Sequence, residues 1–394
     1  NELTEIKDLD LLLEKILSKA REFVDADAGS IYVREGDQLK FSHSQNDTLS
    51  KKLQPGKKLI YTTFSLPINN QSIAGYVANT GEILNLPDVY TISDDVPYKF
   101  SKNFDEIAHY RTKSMLTVPL KTSRGDIVGV LQMINAQNKK GEIVPFSHDD
   151  EPLIAHFANN AAIALERAQM TRAIILRMIR MAELRDPKET GAHVNRVAGY
   201  SVEIYESWAI KKGLSQQSID KKRDVLRMAA MLHDVGKVAI SDLILKKPAR
   251  LTPEEYEAMK KHTFLGAKLF ANPESEFDEI AAEVALNHHE RWDGKGYPGY
   301  IDPLTEKPLP NYKGADGKPR PKKGEEIPIF GRIVALADVY DALSSRRSYK
   351  EAWDEERVLN EIRKEAGKQF DPEVVEAFFS CLDVIHSIKN RYPD

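Results

Sequence analysis

At 394 residues, 41% hydrophobic and 29% charged, the chain has an ordinary soluble balance and exceeds what one core usually organises. A formal net charge of −4 leaves it no basic field for duplex DNA or an anionic membrane surface. The single cysteine, Cys381, excludes an internal disulfide and a Cys-x-x-Cys zinc pattern, so a reducing, cytoplasmic setting is expected. No apolar run approaches about 18 residues and no signal peptide is visible. The first residue is Asn1 rather than Met, which leaves room for an upstream segment.

Three zones follow in chain order. The first, residues 1–152, opens with helical spacing of Leu9, Leu12, Leu13, Ile16, Leu17, Ala20 and Val24. Strands are predicted at Ala28–Val33 and Gln38–Ser42, turned by Glu35-Gly-Asp37, then a helix at Ser72–Asn79. A strand pair is predicted around Ser114–Lys121 and Ile127–Ile134, giving an α+β sensor domain. The second zone, 153–185, lacks glycine and proline and predicts a long helix. One seam on it runs Ile154, Phe157, Ala161, Ala164, Ala168, Thr171, Ile175, Met178 and Ala182. That spacing suits a parallel coiled coil joining two subunits. The alternative is a helix packed on its own domains. The third zone, 186–394, is helical by pattern, with Asp371-Pro-Glu373 marking a helix start. Gly294 to Gly324 is the exception, a long loop rich in Gly, Pro and Lys.

Five of the ten histidines, His193, His233, His262, His288 and His289, share this third zone with Glu189, Asp234 and Asp338. Imidazole and carboxylate together suit divalent first-row metals. Five histidines exceed the needs of one ion, which favours two or more, with Asp234 as the natural bridge. Taken singly, each histidine is more often a packed or solvated residue than a ligand. The adjacent pairs His233-Asp234 and His288-His289 carry the signal.

The blocks Glu189-Thr-Gly-Ala-His-Val-Asn-Arg196, His233-Asp-Val-Gly-Lys237, His288-His-Glu-Arg-Trp-Asp-Gly-Lys-Gly-Tyr-Pro298 and Asp338-Val-Tyr-Asp-Ala-Leu343 resemble those of HD-GYP phosphodiesterases. The resemblance extends to Lys247-Pro248, Leu251-Thr252 and His262, and to Arg347 and Lys350. It covers some 200 residues in the family's order, and implies an all-α domain holding a di- or trinuclear centre, usually iron or manganese. His193, His233, Asp234 and Asp338 correspond to the ligands shared by HD domains. His262, His288 and His289 complete a second site, and Glu189 matches a position that recruits a third metal in some members. The family's substrate is cyclic di-GMP, sometimes cyclic GMP-AMP, opened to a linear dinucleotide such as pGpG and in some members cut on to GMP.

Lys237 is expected to project an ammonium onto the scissile phosphate, with an exposed lysine as the bland alternative. Arg347 and Lys350 are expected to hold phosphate or, failing that, to solvate a helix end. Tyr297 either stacks on a base or merely shapes the site. The chain departs from the family at residues 299–324, where an insertion carries Lys313, Lys318, Arg320, Lys322 and Lys323. It is either a basic lid or a surface elaboration.

The first zone resembles a GAF sensor domain through Ser72-Ile-Ala-Gly-Tyr-Val77, Thr112-Lys-Ser-Met-Leu-Thr-Val-Pro-Leu120 and Gly129-Val-Leu-Gln-Met-Ile-Asn135. An unidentified small-molecule ligand and a homodimer are the partners this architecture implies. Two other functions compete: a domain that binds cyclic dinucleotide without hydrolysis, and an HD hydrolase of another nucleotide such as ppGpp. The intact ligand set and Lys237 oppose the first. The Gly-Tyr-Pro turn and the His288-His289 pair oppose the second.

Overall fold

The computed structural model describes residues 3, 6, 8–53, 59, 64–183, 191–345 and 353–393. Its chain forms two compact units, Asn1–Arg172 and Ala173–Asp394.

In the first unit, helix α1 (Leu9–Phe23) begins where the Asp8 carboxylate accepts from the Asp10 and Leu11 amides. Leu12, Leu13, Ile16, Leu17 and Ala20 recur at helical spacing and are buried on one face. Strands β1 (Ala26–Glu35) and β2 (Gln38–Asn46) form a hairpin whose turn places Gly36 at φ 63°. Strand β3 (Ser65–Pro67), helix α2 (Ile73–Thr80), and strands β4 (Leu84–Leu86), β5 (Met115–Lys121), β6 (Ile127–Gln137) and β7 (Ile143–Val144) complete the sheet region. The sheet is antiparallel in order β3-β2-β1-β6-β5-β4, with β7 pairing on β6.

Period-two alternation divides the strand residues between two faces. Ile31, Val33, Leu116, Val118, Leu131 and Met133 pack with α1 and with Ile154 to Ala168 of helix α3 (Asp150–Glu183). Tyr32, Phe41 and Val130 point the other way and pack with Ala74, Val77 and Ala78 of α2.

The long helix is present as expected, but most of the anticipated seam faces inward. Ile154, Ala161, Ala164 and Ala168 belong to the first unit's core, and Ile175 belongs to the second's. Small alanines allow close packing against the unit's own α1 and sheet, which withdraws them from any partner helix. The large apolar side chains left outside are Leu153, Ile163, Met170, Ile174, Met178 and Met181. No described helix is long and apolar enough to cross a membrane.

The second unit is built on helices α4 (Gly191–Lys211), α5 (Gln216–Met231), α6 (Pro253–Lys260), α7 (His262–Lys268), α8 (Glu276–Asn287) and α9 (Ile329–Ser344). Helices α10 (Glu355–Lys364), α11 (Pro372–Ser380) and α12 (Leu382–Arg391) close it. Val197, Tyr200 and Ile204 of α4 meet Leu226 and Ala230 of α5, Val284 of α8, Ile333 and Tyr340 of α9, and Phe378 of α11 in one core. Helix α11 starts as anticipated, with the Asp371 carboxylate accepting from the Glu373 amide and Pro372 in the first turn.

Candidate metal centre

The core fixes where four helices start or stop, and the histidines sit at those ends. His193 lies in the first turn of α4, His233 and Asp234 just beyond α5, His262 at the start of α7, and His288 and His289 just past α8. Asp338 projects from α9. These residues form two groups, Asp234 with His262, His288 and His289, and His193 with His233 and Asp338. Within each group the candidate ligand atoms all lie within 4.8 Å of one another.

Asp234 faces both groups. Its Oδ2 is 3.2 Å from His233 Nε2, and its Oδ1 is 3.1 Å from His262 Nε2 and 3.6 Å from His288 Nε2. Asp338 Oδ1 lies 3.6 Å from His193 Nε2 and 4.0 Å from His233 Nε2.

The other ring nitrogens are anchored to acceptors. Nδ1–H donates from His233 to Ala230 O at 2.8 Å, from His262 to Met259 O at 2.7 Å, and from His288 to Ala285 O at 3.0 Å. A carbonyl accepts only, so these partners assign the proton to Nδ1 and leave the Nε2 lone pair facing the carboxylates. Burial lowers the pKa of His288, and lowers that of His289 further with help from its neighbour His288, which keeps both neutral. Neutral imidazoles converging with carboxylates are the donor set of a first-row divalent ion, so these residues fit one chemically.

Close backbone approach makes the grouping possible. A Cβ on Gly236 would overlap the His262 carbonyl oxygen and the Gly266 amide, so only glycine lets the turn after His233-Asp234 press against α7. Lys237, in that turn, donates from Nζ to Asp234 Oδ2 at 2.7 Å, and its side chain is 21% exposed. Tyr297 is half-buried and stacks on His289, with centroids 4.8 Å apart. Glu189, Arg347 and Lys350 lie outside the described residues.

Residues 190–343 match the HD domain family, and residues 8–165 match the GAF domain family. The chain joins a GAF domain to an HD domain. Over 214 residues it is 40% identical to a cyclic di-GMP phosphodiesterase of Thermotoga maritima, spanning 54% of this chain and 50% of that protein. Over 274 residues it is 36% identical to a cyclic di-GMP phosphodiesterase of Vibrio cholerae, spanning 67% and 51%. A 3'3'-cGAMP-specific phosphodiesterase of the same organism is 34% identical over 235 residues, spanning 60% of this chain and 39% of that protein. The chain therefore spans about half or less of the length of these relatives.

Two residues quoted within the matching blocks, Asp341 and Arg196, carried no assigned role in the sequence. Asp341, one turn after Asp338 on α9, accepts from His193 Nδ1–H at 2.8 Å and so orients that ring. Arg196 grips the same carboxylate through Nε at 2.6 Å and Nη2 at 3.0 Å. Burial pushes the Asp341 carboxyl up, but the hydrogen bonds from His193 and Arg196 hold it below the usual range. The sequence signals were their places in those blocks and, for Asp341, its position three residues after Asp338 on the same helix face.

Residues 299–324, expected to be an insertion, have a defined structure. Tyr300 and Tyr312 stack with centroids 3.9 Å apart, and the Arg320 guanidinium lies 4.8 and 5.2 Å from them. Ile301–Asp302 pairs with Lys307–Pro308. Buried Glu290 holds both ends, accepting from Gly299 N at 2.6 Å and Lys322 N at 3.3 Å. Burial raises the Glu290 carboxyl to about 7, and the Gly299 amide and Lys322 oppose that rise. Lys322 is itself buried and hydrogen-bonds Asn287, so it is no part of an exposed basic surface.

Proposed function

We propose that this chain is an HD-GYP-type, metal-dependent phosphodiesterase that opens cyclic di-GMP to the linear dinucleotide, under control of a small molecule bound by the GAF domain. The observation that carries this reading is Asp234, whose two oxygens face separate histidine groups at 3.1 and 3.2 Å. One ion would be held by His193, His233 and Asp338, a second by His262, His288 and His289, with Asp234 shared between them. The imidazole and carboxylate donors suit iron, or alternatively manganese. Bound ions would supply a nucleophile at neutral pH and Lewis acidity toward the phosphate.

The protein's own groups do the rest. Asp341 and the carbonyls of Ala230, Met259 and Ala285 hold the imidazoles in one tautomer and orientation. Lys237, beside Asp234, brings an ammonium to the charge that builds on the phosphate oxygens. Arg347 and Lys350 are proposed to grip phosphate, and Glu189 to hold a third ion. Tyr297 has one face engaged by His289, which supports a role in shaping the second histidine group. The single Cys381 supports a cytoplasmic setting, and the apolar side chains exposed on α3 support a homodimer through that helix. A second reading, hydrolysis of 3'3'-cyclic GMP-AMP, is favoured by the relative named for that substrate.

Elemental analysis of protein purified anaerobically, with product chromatography on the same sample, tests the proposal. More than one ion per chain and a linear dinucleotide or GMP product are expected. His233→Ala and Asp234→Ala should lose both metal and turnover, while Glu189→Ala should lose about one ion and keep the central pair. At most one ion in fully active protein would sink the two-ion reading.

A further inference from the structure

Part of the rim of the HD domain has no role in the chemistry above. On α6, Tyr256 is 47% exposed and meets Tyr297 edge-on, with centroids 6.3 Å apart. Lys260, one turn further on, holds its Nζ 4.9 Å from the Tyr256 centroid and 5.4 Å from that of Tyr297. Tyr297 in turn stacks on His289, so the ledge joins the second histidine group through two ring contacts, 4.8 and 6.3 Å. Glu257 receives Lys260 Nζ at 2.7 Å, and Lys318 of the insertion approaches the same carboxylate at 3.6 Å.

A single exposed tyrosine is normal on a protein surface. Here the ring is anchored against a half-buried neighbour, carries a lysine ammonium over it, and is linked through Tyr297 to an imidazole of the group proposed to act on a phosphodiester. Bases stack readily on such rings, whichever base they are. An ammonium beside the ring adds selectivity. Guanine presents two acceptors, N7 and O6, on one edge, whereas adenine presents N7 beside an N6 amino donor that would oppose the cation.

We propose that Tyr256 and Lys260 form a nucleobase subsite of the HD domain, with Tyr256 stacking one base of the substrate and Lys260 donating to the acceptor edge of guanine. The proposal rests on the cyclic-dinucleotide reading above. It makes Lys260 a specificity-determining residue: cyclic di-GMP always presents guanine, cyclic GMP-AMP does so in one of two orientations, and cyclic di-AMP never does.

The test uses the full chain with its metal. Tyr256→Ala should raise KM for cyclic di-GMP about tenfold, the scale of one lost base stack, with the loss falling on KM rather than kcat. Metal content should match wild type, and Tyr256→Phe, which keeps the ring, should restore KM. For Lys260→Met, the inhibition constant of cyclic di-AMP should move toward the affinity for cyclic di-GMP. An unchanged KM in Tyr256→Ala overturns the stacking role, and an unchanged base preference in Lys260→Met overturns the specificity role. A metal-replete wild type inert toward all three cyclic dinucleotides would overturn the phosphodiesterase reading itself. That result differs from an active enzyme indifferent to Tyr256→Ala.

Discussion

Replacing Asp341 with alanine is expected to cost the second unit about 3–5 kcal/mol, the penalty for removing one partner of a buried ion pair. Arg196 is 2% exposed and Asp341 1%, and the two Arg196–Asp341 bonds measure 2.6 and 3.0 Å. Solvent therefore adds little to what the Tyr392 carbonyl, 2.8 Å from Nη1, offers the guanidinium once its carboxylate is gone. Asp341→Asn keeps the shape but turns one acceptor into a donor facing Arg196 or His193 Nδ1–H. Losing a charge-assisted hydrogen bond there should cost about 1.5–3 kcal/mol. It should also weaken metal binding roughly ten- to a hundredfold by loosening the His193 ring. Trp208, Trp292 and Trp353 all lie in Ala173–Asp394, so tryptophan fluorescence during urea unfolding follows this unit alone. Chelator competition measures the metal affinity. A loss below about 1 kcal/mol in Asp341→Ala, or wild-type metal affinity in Asp341→Asn, would refute the argument that this carboxylate supports His193.

Gly236→Ala forces a methyl into the His262 carbonyl and the Gly266 backbone. It should destabilise the unit by about 1–3 kcal/mol and lower the metal content, since either α7 or the turn carrying Lys237 must move. Wild-type metal content in a folded Gly236→Ala protein would contradict the close-approach account. If the proposed homodimer forms through α3, Ile174→Glu with Met178→Glu, at side chains 46% and 44% exposed, should separate the subunits without unfolding them. Sedimentation showing an unchanged dimer, or a monomeric wild type, would reject that interface. Placing glutamate at Ile175 instead should unfold the second unit, because Ile175 is in its core.

Much of the site was legible because its candidate ligands come as chemically odd neighbours. Two adjacent histidines at 288–289 and a His-Asp pair at 233–234 are uncommon enough to stand out, and helix ends brought them together. Asp341 was not legible, since its role depends on α9 facing the first turn of α4, a relation no local pattern encodes. The helix seam shows the same limit in another form. Periodicity revealed that Ile154, Ala161 and Ala168 share an apolar face, but not that their own sheet and α1 would cover it. Strands β3, β4 and β7 have two or three residues each, too few to display an alternation. The insertion has no periodicity because stacked rings and one buried carboxylate organise it rather than a repeated apolar position.

The grip of Glu290 on Gly299 and Lys322 has a consequence for how this region can change over evolutionary time. With both ends fastened beside His289, the chain between them is a closed loop, and lengthening a closed loop adds little closure entropy. Each doubling costs only about 0.6 kcal/mol in closure entropy. The span from Tyr300 to Pro321 can therefore be exchanged, shortened or extended while the carboxylate keeps its two amide partners. Variation there would remodel the approach to the histidines and leave their spacing alone. Changing Glu290 itself would remove the acceptor at both ends at once, leave Lys322 held through Asn287, and expose the geometry of the histidine group to whatever the loop happens to be.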